Sequence, residues 1–324
     1  MTRRLRSVLF VVGVALALVG AAYYWLIIES HMPADARYDF DIGEVRRIAG
    51  AAPGDKPTAI EMEQVALFKF PATAIVAGDG WDMRDMPVFS WRLAYPAASV
   101  IVDTALNREI GGRGLASFDD DAYARMQTAM TQSSLIVITH EHMDHIGGLA
   151  AHPDLRAILP TTRLNRAQLA NPDRSLPAKF PDHALDGYDA LDYEKYYAAA
   201  PGVVLIKAPG HTPGSQMVYA QTADGAEFLF IGDVAWQFRN IEVQRERARL
   251  VTWLFLKEDR GAVFGQLAAL KRLHETEPRV HIVPGHDGDA VAELVRAGLV
   301  KPRFELANRE PLAAQQQPLL RRSP

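Results

Sequence analysis

The alternation of apolar and polar positions changes rhythm along the chain. Arg3, Arg4 and Arg6 precede an apolar run from Val8 to Ile28 that carries no charged side chain. At about 1.5 Å of rise per residue such a run makes a helix about 30 Å long, the thickness of a bilayer's hydrocarbon core. A helix that is apolar all round has no face to show to water, so a buried helix of a soluble domain is a poor reading. Residues 1–30 are expected to be a membrane anchor or a signal peptide. Gly20-Ala21-Ala22 would suit a peptidase, whereas Tyr23, Tyr24 and Trp25 read as an interfacial aromatic belt and favour a retained anchor in the lipid bilayer over residues 8–28. With the positive flank at the start, the N-terminus is expected inside and the rest of the chain on the extracytoplasmic or periplasmic side, or secreted if the segment is cleaved.

Beyond that helix, residues 31–60 hold Pro33, Pro53 and Pro57 among charges and read as a spacer. The body, 61–305, alternates short β-rich runs with helical stretches. Strands are expected at Ala72–Ala77, Pro87–Leu93, Ser99–Asp103, Leu135–Thr139, Ala157–Leu159, Val203–Lys207, Gln216–Ala220, Glu227–Ile231 and Val280–Val283. Helical spacing occupies Asp119–Met130, Thr162–Leu169, Ala262–Glu275 and Asp289–Ala297. The pattern is α/β (α+β), a mixed sheet covered by helices. Residues 306–324 read as an exposed tail.

Composition narrows the function classes. The chain has 324 residues, 48% of them hydrophobic, enough for a sizeable core, and a net charge of −4 that gives no cationic field for a nucleic acid. It has no cysteine, which removes disulfides, thiolate metal ligands and a thiol nucleophile.

Candidate chemistry is concentrated at strand ends. Thr139-His140-Glu141-His142-Met143-Asp144-His145-Ile146-Gly147-Gly148 follows the apolar Leu135–Ile138 directly, placing three imidazoles and a carboxylate within six residues. Imidazole nitrogen and carboxylate oxygen suit zinc, iron or manganese, whereas magnesium and calcium prefer oxygen alone. Three histidines crowded at one strand end would repel one another if protonated, and a cation would organise them as neutral ligands. Gly147-Gly148 is expected to let the backbone turn tightly before a helix starts. Three later segments repeat a strand, a glycine and a potential ligand: Pro209-Gly210-His211, Ile231-Gly232-Asp233 and Pro284-Gly285-His286. His31, His152, His183, His274 and His281 have no such motif around them.

Taken together, H-x-H-x-D-H, then His, Asp and His resembles the ligand pattern of the metallo-β-lactamase superfamily at every ligand position, over about Ala72 to Ala297. The resemblance implies a four-layer αββα sandwich with two divalent metal ions, zinc first and iron or manganese as alternatives. It implies that His140, His142 and His211 hold one ion, that Asp144, His145 and His286 hold the other, and that Asp233 bridges ions about 3.5–4 Å apart. Asp103 matches a residue that orients a ligand from behind. The implied reaction is hydrolysis by a metal-bridging hydroxide, with Asp144 relaying a proton to the leaving group. The small-molecule substrate would be an ester, lactone, thioester, amide or phosphodiester.

An aspartate at 233, where the true β-lactamases of the superfamily carry cysteine or serine, counts against a β-lactam. The segments around His211, Asp233 and His286 look most like the acyl-homoserine lactonases, with glyoxalase-type thioesterases close by, so a lactone or thioester is favoured. Those lactonases place a tyrosine three residues after the bridging aspartate, and here that position is Trp236. Trp236 and Phe238 are read as a pocket wall or as core packing. Residues 240–259, with Arg245, Arg247 and Arg249 before Leu250–Leu256, read as a helix packed on the sandwich, with a substrate cover or a membrane contact as the alternative. Two other classes stay open: an iron-dependent sulfur dioxygenase of the same superfamily, and a non-catalytic binding protein on the same scaffold.

Overall fold

The computed structural model describes residues 2–306, so most of the expected tail lies outside the described residues. Among the described residues, twelve strands form two sheets. In chain order they are β1 (Ala59–Pro71), β2 (Met83–Ala94), β3 (Ser99–Val102), β4 (Ser117–Phe118), β5 (Leu135–Val137), β6 (Thr162–Arg163), β7 (Tyr196–Ala200), β8 (Val203–Lys207), β9 (Gln216–Gln221), β10 (Glu227–Gly232), β11 (Val280–Pro284) and β12 (Val300–Lys301). The first sheet runs β12-β1-β2-β3-β5-β6 with β4 on β1, and the second runs β11-β10-β9-β8-β7.

Strand periodicity makes the layers. Val100 and Val102, Leu135 and Val137, Val203 and Leu205, and Phe228 and Phe230 share one cluster between the sheets. There the rings of Trp91 and Phe230 lie 5.0 Å apart. Their chain neighbours point outward. Ile101 and Ile136 meet Met126, Ala129 and Met130 of the helix Asp120–Gln132. Val204, Ile206, Leu229 and Ile231 meet Val263, Phe264, Leu267 and Leu270 of the helix Arg260–Thr276. Helix, sheet, sheet, helix is the αββα sandwich.

Several elements differ from the sequence expectation. Ala72–Ile75 is a short helix rather than a strand, and Thr73 Oγ1 donates to Ile27 O at 3.2 Å, tying it to the N-terminal helix. Ala157 lies in a helical turn, Leu155–Ile158. The helix expected from Thr162 begins only at Arg166, because the Asn165 side chain caps it by accepting from Gln168 N, and Thr162–Arg163 pairs with β5 instead. The long strand β1 escaped notice because its register buries Glu61 and Glu63, which ion pairs with Arg92 and Arg125 make tolerable. Within the expected spacer, Ile42–Ala51 is a helix with Val45 and Ala49 fully buried against the second sheet.

The N-terminal segment forms one exposed helix, Arg3–Tyr23, closing in a π turn at Tyr24–Ile28. At 26 residues it is long and apolar enough to cross a membrane, a test that signal sequences also pass.

Candidate metal centre

Strand direction brings the candidate residues to one edge. β3 and β5 are parallel, so Asp103 and His140 leave their sheet on the same side. β8 and β10 each pair antiparallel with β9, and β11 runs parallel to β10, so His211, Asp233 and His286 also emerge together. The two edges are joined where Gln216 N donates to Thr139 O at 2.8 Å. Gln168 and Gln216 side-chain amides both donate to Ile138 O at 2.8 Å, satisfying a buried carbonyl just before the histidine segment.

Two groups of donors result, His140, His142, His211 and Asp233 in one, and Asp144, His145 and His286 in the other. In the first group, His142 Nδ1 lies 3.1 Å from His140 Nε2 and 2.9 Å from His211 Nε2. Asp233 Oδ2 lies 3.3 Å from His211 Nε2 and 3.7 Å from His140 Nε2. An ion with donors at about 2.0–2.1 Å in a tetrahedron separates them by about 3.3 Å, so these spacings are those of a tetrahedral shell. In the second group, Asp233 Oδ1 lies 3.2 Å from both His145 Nε2 and His286 Nε2, and Asp144 Oδ2 lies 3.4 Å from His286 Nε2. The two oxygens of Asp233 therefore face different groups.

Three of the ring nitrogens not aimed inward are held from behind. Asp103 Oδ2 faces His145 Nδ1 at 2.8 Å, and the Pro87 carbonyl accepts from His286 Nδ1 at 2.8 Å. Glu258, a wholly buried carboxylate also bonded to Arg247, holds His211 Nδ1. Each contact fixes a tautomer and leaves the inward nitrogen with its lone pair. His145 Nε2 and Asp233 Oδ1 are buried without hydrogen-bond partners, which a pair of cations would satisfy. Burial, with the neighbouring imidazoles, holds His140 and His142 neutral, well below the ordinary histidine range. Burial opposes ionisation of Asp233, yet His286, His145 and His140 keep its carboxylate ionised, well below the usual range. Against burial, the surrounding carboxylates, Asp103 and Asp233 first among them, instead raise His145, and Asp233 raises His286, so neutral donors beside an ionised carboxylate, the set a divalent cation needs, are found at His140 and His142.

Two glycines make the geometry possible. A Cβ on Gly285 would stand 2.3 Å from Asp233 Oδ1, so the residue before His286 must have no side chain. Gly148 was expected to form a turn, but it lies inside the helix Met143–Ala150, where a Cβ would stand 1.9 Å from Thr104 O. Its role is to let that helix press onto the segment after β3, which places Asp144 and His145 on the first turn.

Trp236 is buried, and its Nε1 donates to Asp233 Oδ2 at 2.6 Å. The Arg247 guanidinium lies 4.9 Å over its indole and Phe70 stacks at 5.9 Å. Phe238 is not brought to this edge; its ring packs on His274 at 4.9 Å. His281 packs on Phe228 at 5.3 Å. Among the seven clustered donors only His142 and Asp144 are partly exposed, which marks the open side of the cluster. Sequence reasoning missed Glu258, Arg247 and Glu141, whose carboxylate accepts from Thr212 Oγ1 at 2.6 Å and so binds the His211 loop to the His140 segment. Glu141 lay inside the motif; Glu258 followed a charge run and gave no signal.

Comparison with known proteins agrees with this geometry. The family model described as Metallo-beta-lactamase superfamily matches residues 83–286, more than half of the chain. An N-acyl homoserine lactonase from a Bacillus species is 24% identical over 178 residues, covering 50% of this chain and 69% of that protein. A probable metallo-hydrolase from Mycobacterium bovis is 28% identical over 175 residues, covering 48% of this chain and 54% of that protein. Among solved structures, an N-acyl homoserine lactone hydrolase with the product N-hexanoyl-L-homoserine at its catalytic metal centre superposes with a TM-score of 0.58 at 17% identity, covering 74% of this chain and 96% of that one.

Proposed function

The chain belongs to the metallo-beta-lactamase superfamily, and from that premise we propose that it is a metal-dependent hydrolase cleaving a small ester-like bond, a lactone or a thioester. The observation that carries this reading is the split carboxylate of Asp233, one oxygen 3.3 Å from His211 and the other 3.2 Å from both His145 and His286. That arrangement supports a pair of ions held by His140, His142 and His211 on one side and Asp144, His145 and His286 on the other, with Asp233 between them. Divalent ions bound there supply Lewis acidity for a carbonyl and a water acidic enough to attack near neutral pH.

The protein's own residues supply the remainder. Asp144, partly exposed on the open side, would carry a proton to the departing oxygen or sulfur. The Trp236 N–H is already spent on Asp233, so the indole steadies the bridging carboxylate and does not assist the substrate carbonyl as the lactonases' tyrosine does. The aspartate at 233 directs the reading away from β-lactams. We read the N-terminal helix as the anchor that holds the domain at the extracytoplasmic face of a membrane, residues 61–305 forming the hydrolase unit.

The test is a metal-quantified hydrolysis panel on the full chain in detergent, with a long-chain lactone, a glutathione thioester, a cephalosporin and an aryl phosphodiester. Two equivalents of metal and turnover of the lactone or thioester, lost in Asp233→Ala, are expected. Full turnover in that variant refutes the bridging role, and one iron per chain with oxygen consumption moves the assignment to the sulfur dioxygenases.

A further inference from the structure

The turn Thr252–Leu256 is anchored at both ends and apolar at its apex. Thr252 is buried, Glu258 N donates to Thr252 O at 3.1 Å, and Arg174 Nη1 donates to Leu256 O at 2.9 Å. Between these fixed points Trp253, Leu254 and Phe255 are 61%, 53% and 75% exposed. Single exposed apolar residues are ordinary, but three large consecutive ones on a rigid turn need an explanation.

Its position supplies one. Trp253 meets Trp25, in the last turn of the apolar helix, edge to face at 6.0 Å. Trp81, equally exposed, donates from Nε1 to the Tyr23 hydroxyl at 3.1 Å. That helix end is bolted to the domain: Arg249 reaches Trp25 O and pairs with Glu29, Arg245 bonds Ile28 O, and Glu246 N donates to Ser30 Oγ at 3.2 Å. The helix end is therefore fixed to the domain, with Trp81 beside Tyr23 and Trp253 beside Trp25. Trp and Tyr at that level are the side chains that settle at a membrane–water interface.

We propose that Trp81, Trp253, Leu254 and Phe255 form a docking surface for the phospholipid bilayer around the helix end, and that the metal site acts on an amphiphile whose acyl chain stays in that leaflet. The substrate half of this inference rests on the hydrolase reading above. The same segment continues from Phe255 to Glu258, three residues on, whose carboxylate holds His211. The turn that enters lipid is thus three residues from the side chain that supports a candidate metal ligand, which brings the site close to the headgroup layer.

The chain has no cysteine, so one introduced thiol is unique. A nitroxide on Leu254→Cys, in the full chain in phosphatidylcholine nanodiscs, is expected to collide several-fold more with oxygen than with a water-soluble nickel chelate. A label on Asp224→Cys, in the turn at the opposite sheet edge, should show the reverse. Water-like behaviour at 254 overturns the docking surface. Next, Trp253, Leu254 and Phe255 are all changed to Ser, with metal content confirming the fold. A several-fold loss of turnover on a long-chain ester in vesicles, with turnover of a short soluble ester unchanged, is expected; equal losses on both overturn the lipid substrate. The label needs no activity, so lipid contact at 254 with no ester cleaved at all would sustain the docking surface and refute the hydrolase reading instead.

Discussion

Replacing Asp103 by Asn changes one atom and should unseat one metal. Asp103 is buried and accepts three hydrogen bonds, from Thr139 N at 2.6 Å, from Thr139 Oγ1 at 2.8 Å and from His145 Nδ1 at 2.8 Å. Its backbone is left-handed, with φ 58°, a conformation Asn tolerates as well as Asp, so the substitution adds no backbone strain. The amide has one acceptor oxygen where the carboxylate had two. If that oxygen stays on Thr139 N, the NH2 group faces His145 Nδ1, and the ring must move its proton to Nε2, the nitrogen that faces Asp233. If the amide flips, the NH2 faces the Thr139 N–H and a buried donor loses its partner. Either way a charge-assisted bond worth about 1.5–3 kcal/mol is lost. Metal affinity on the Asp144, His145, His286 side should fall by about 10–100-fold, the usual result of losing a ligand's outer partner. Competition with a chromophoric chelator, titrated through two equivalents of zinc, measures both steps. Unchanged affinity at both would show that Asp103 does not set the His145 tautomer.

Three further outcomes are expected. Gly148→Ala should cost about 3 kcal/mol or more in chemical unfolding, because the new methyl meets the backbone oxygen of Thr104, which cannot swing aside; a loss under about 1 kcal/mol would show that the helix can slide. Glu258→Gln should weaken zinc on the His140, His142, His211 side by about 10-fold, with the other side unmoved in the same titration. Burial pushes Glu246 up to about 7 from its ordinary 4.5, against the attraction of Arg260. The folded state therefore holds more protons than the unfolded one between those values, so stability falls as pH rises through that window, by up to about 3 kcal/mol. Urea midpoints at pH 5 and 7.5 should differ less in Glu246→Gln than in the parent, and parallel shifts would refute the assignment.

The residues that gather at the sheet edge were legible because each follows an apolar strand and the chemistry is confined to a few side-chain types. His140, His142 and His145 announce themselves by density, and His211, Asp233 and His286 by the recurring strand–glycine–ligand order. The unbroken apolar runs in Val203–Lys207 and Glu227–Ile231 likewise marked two strands of the second sheet. What stayed hidden depends on partners distant in sequence. The start of β1 carries Glu61, Glu63 and Gln64, and two carboxylates do not suggest a buried strand until Arg92 and Arg125 are seen to neutralise them. Ile42–Ala51 is short, and its helical state rests on the face it buries. Glu258 has its role only because the turn before it brings a carboxylate to His211, and Trp236 reads equally as pocket wall or core packing until its N–H is seen on Asp233.

That last bond also gives the protein an optical signal of its own. An indole hydrogen-bonded to the carboxylate that two cations would share feels any change in charge there at 2.6 Å. The emission of Trp236 should therefore shift as each ion arrives, and a tyrosine at that position would report far more dimly. Filling of the centre can be followed with no dye attached, as the metal-dependent change in emission over the constant background of Trp25, Trp81, Trp91 and Trp253.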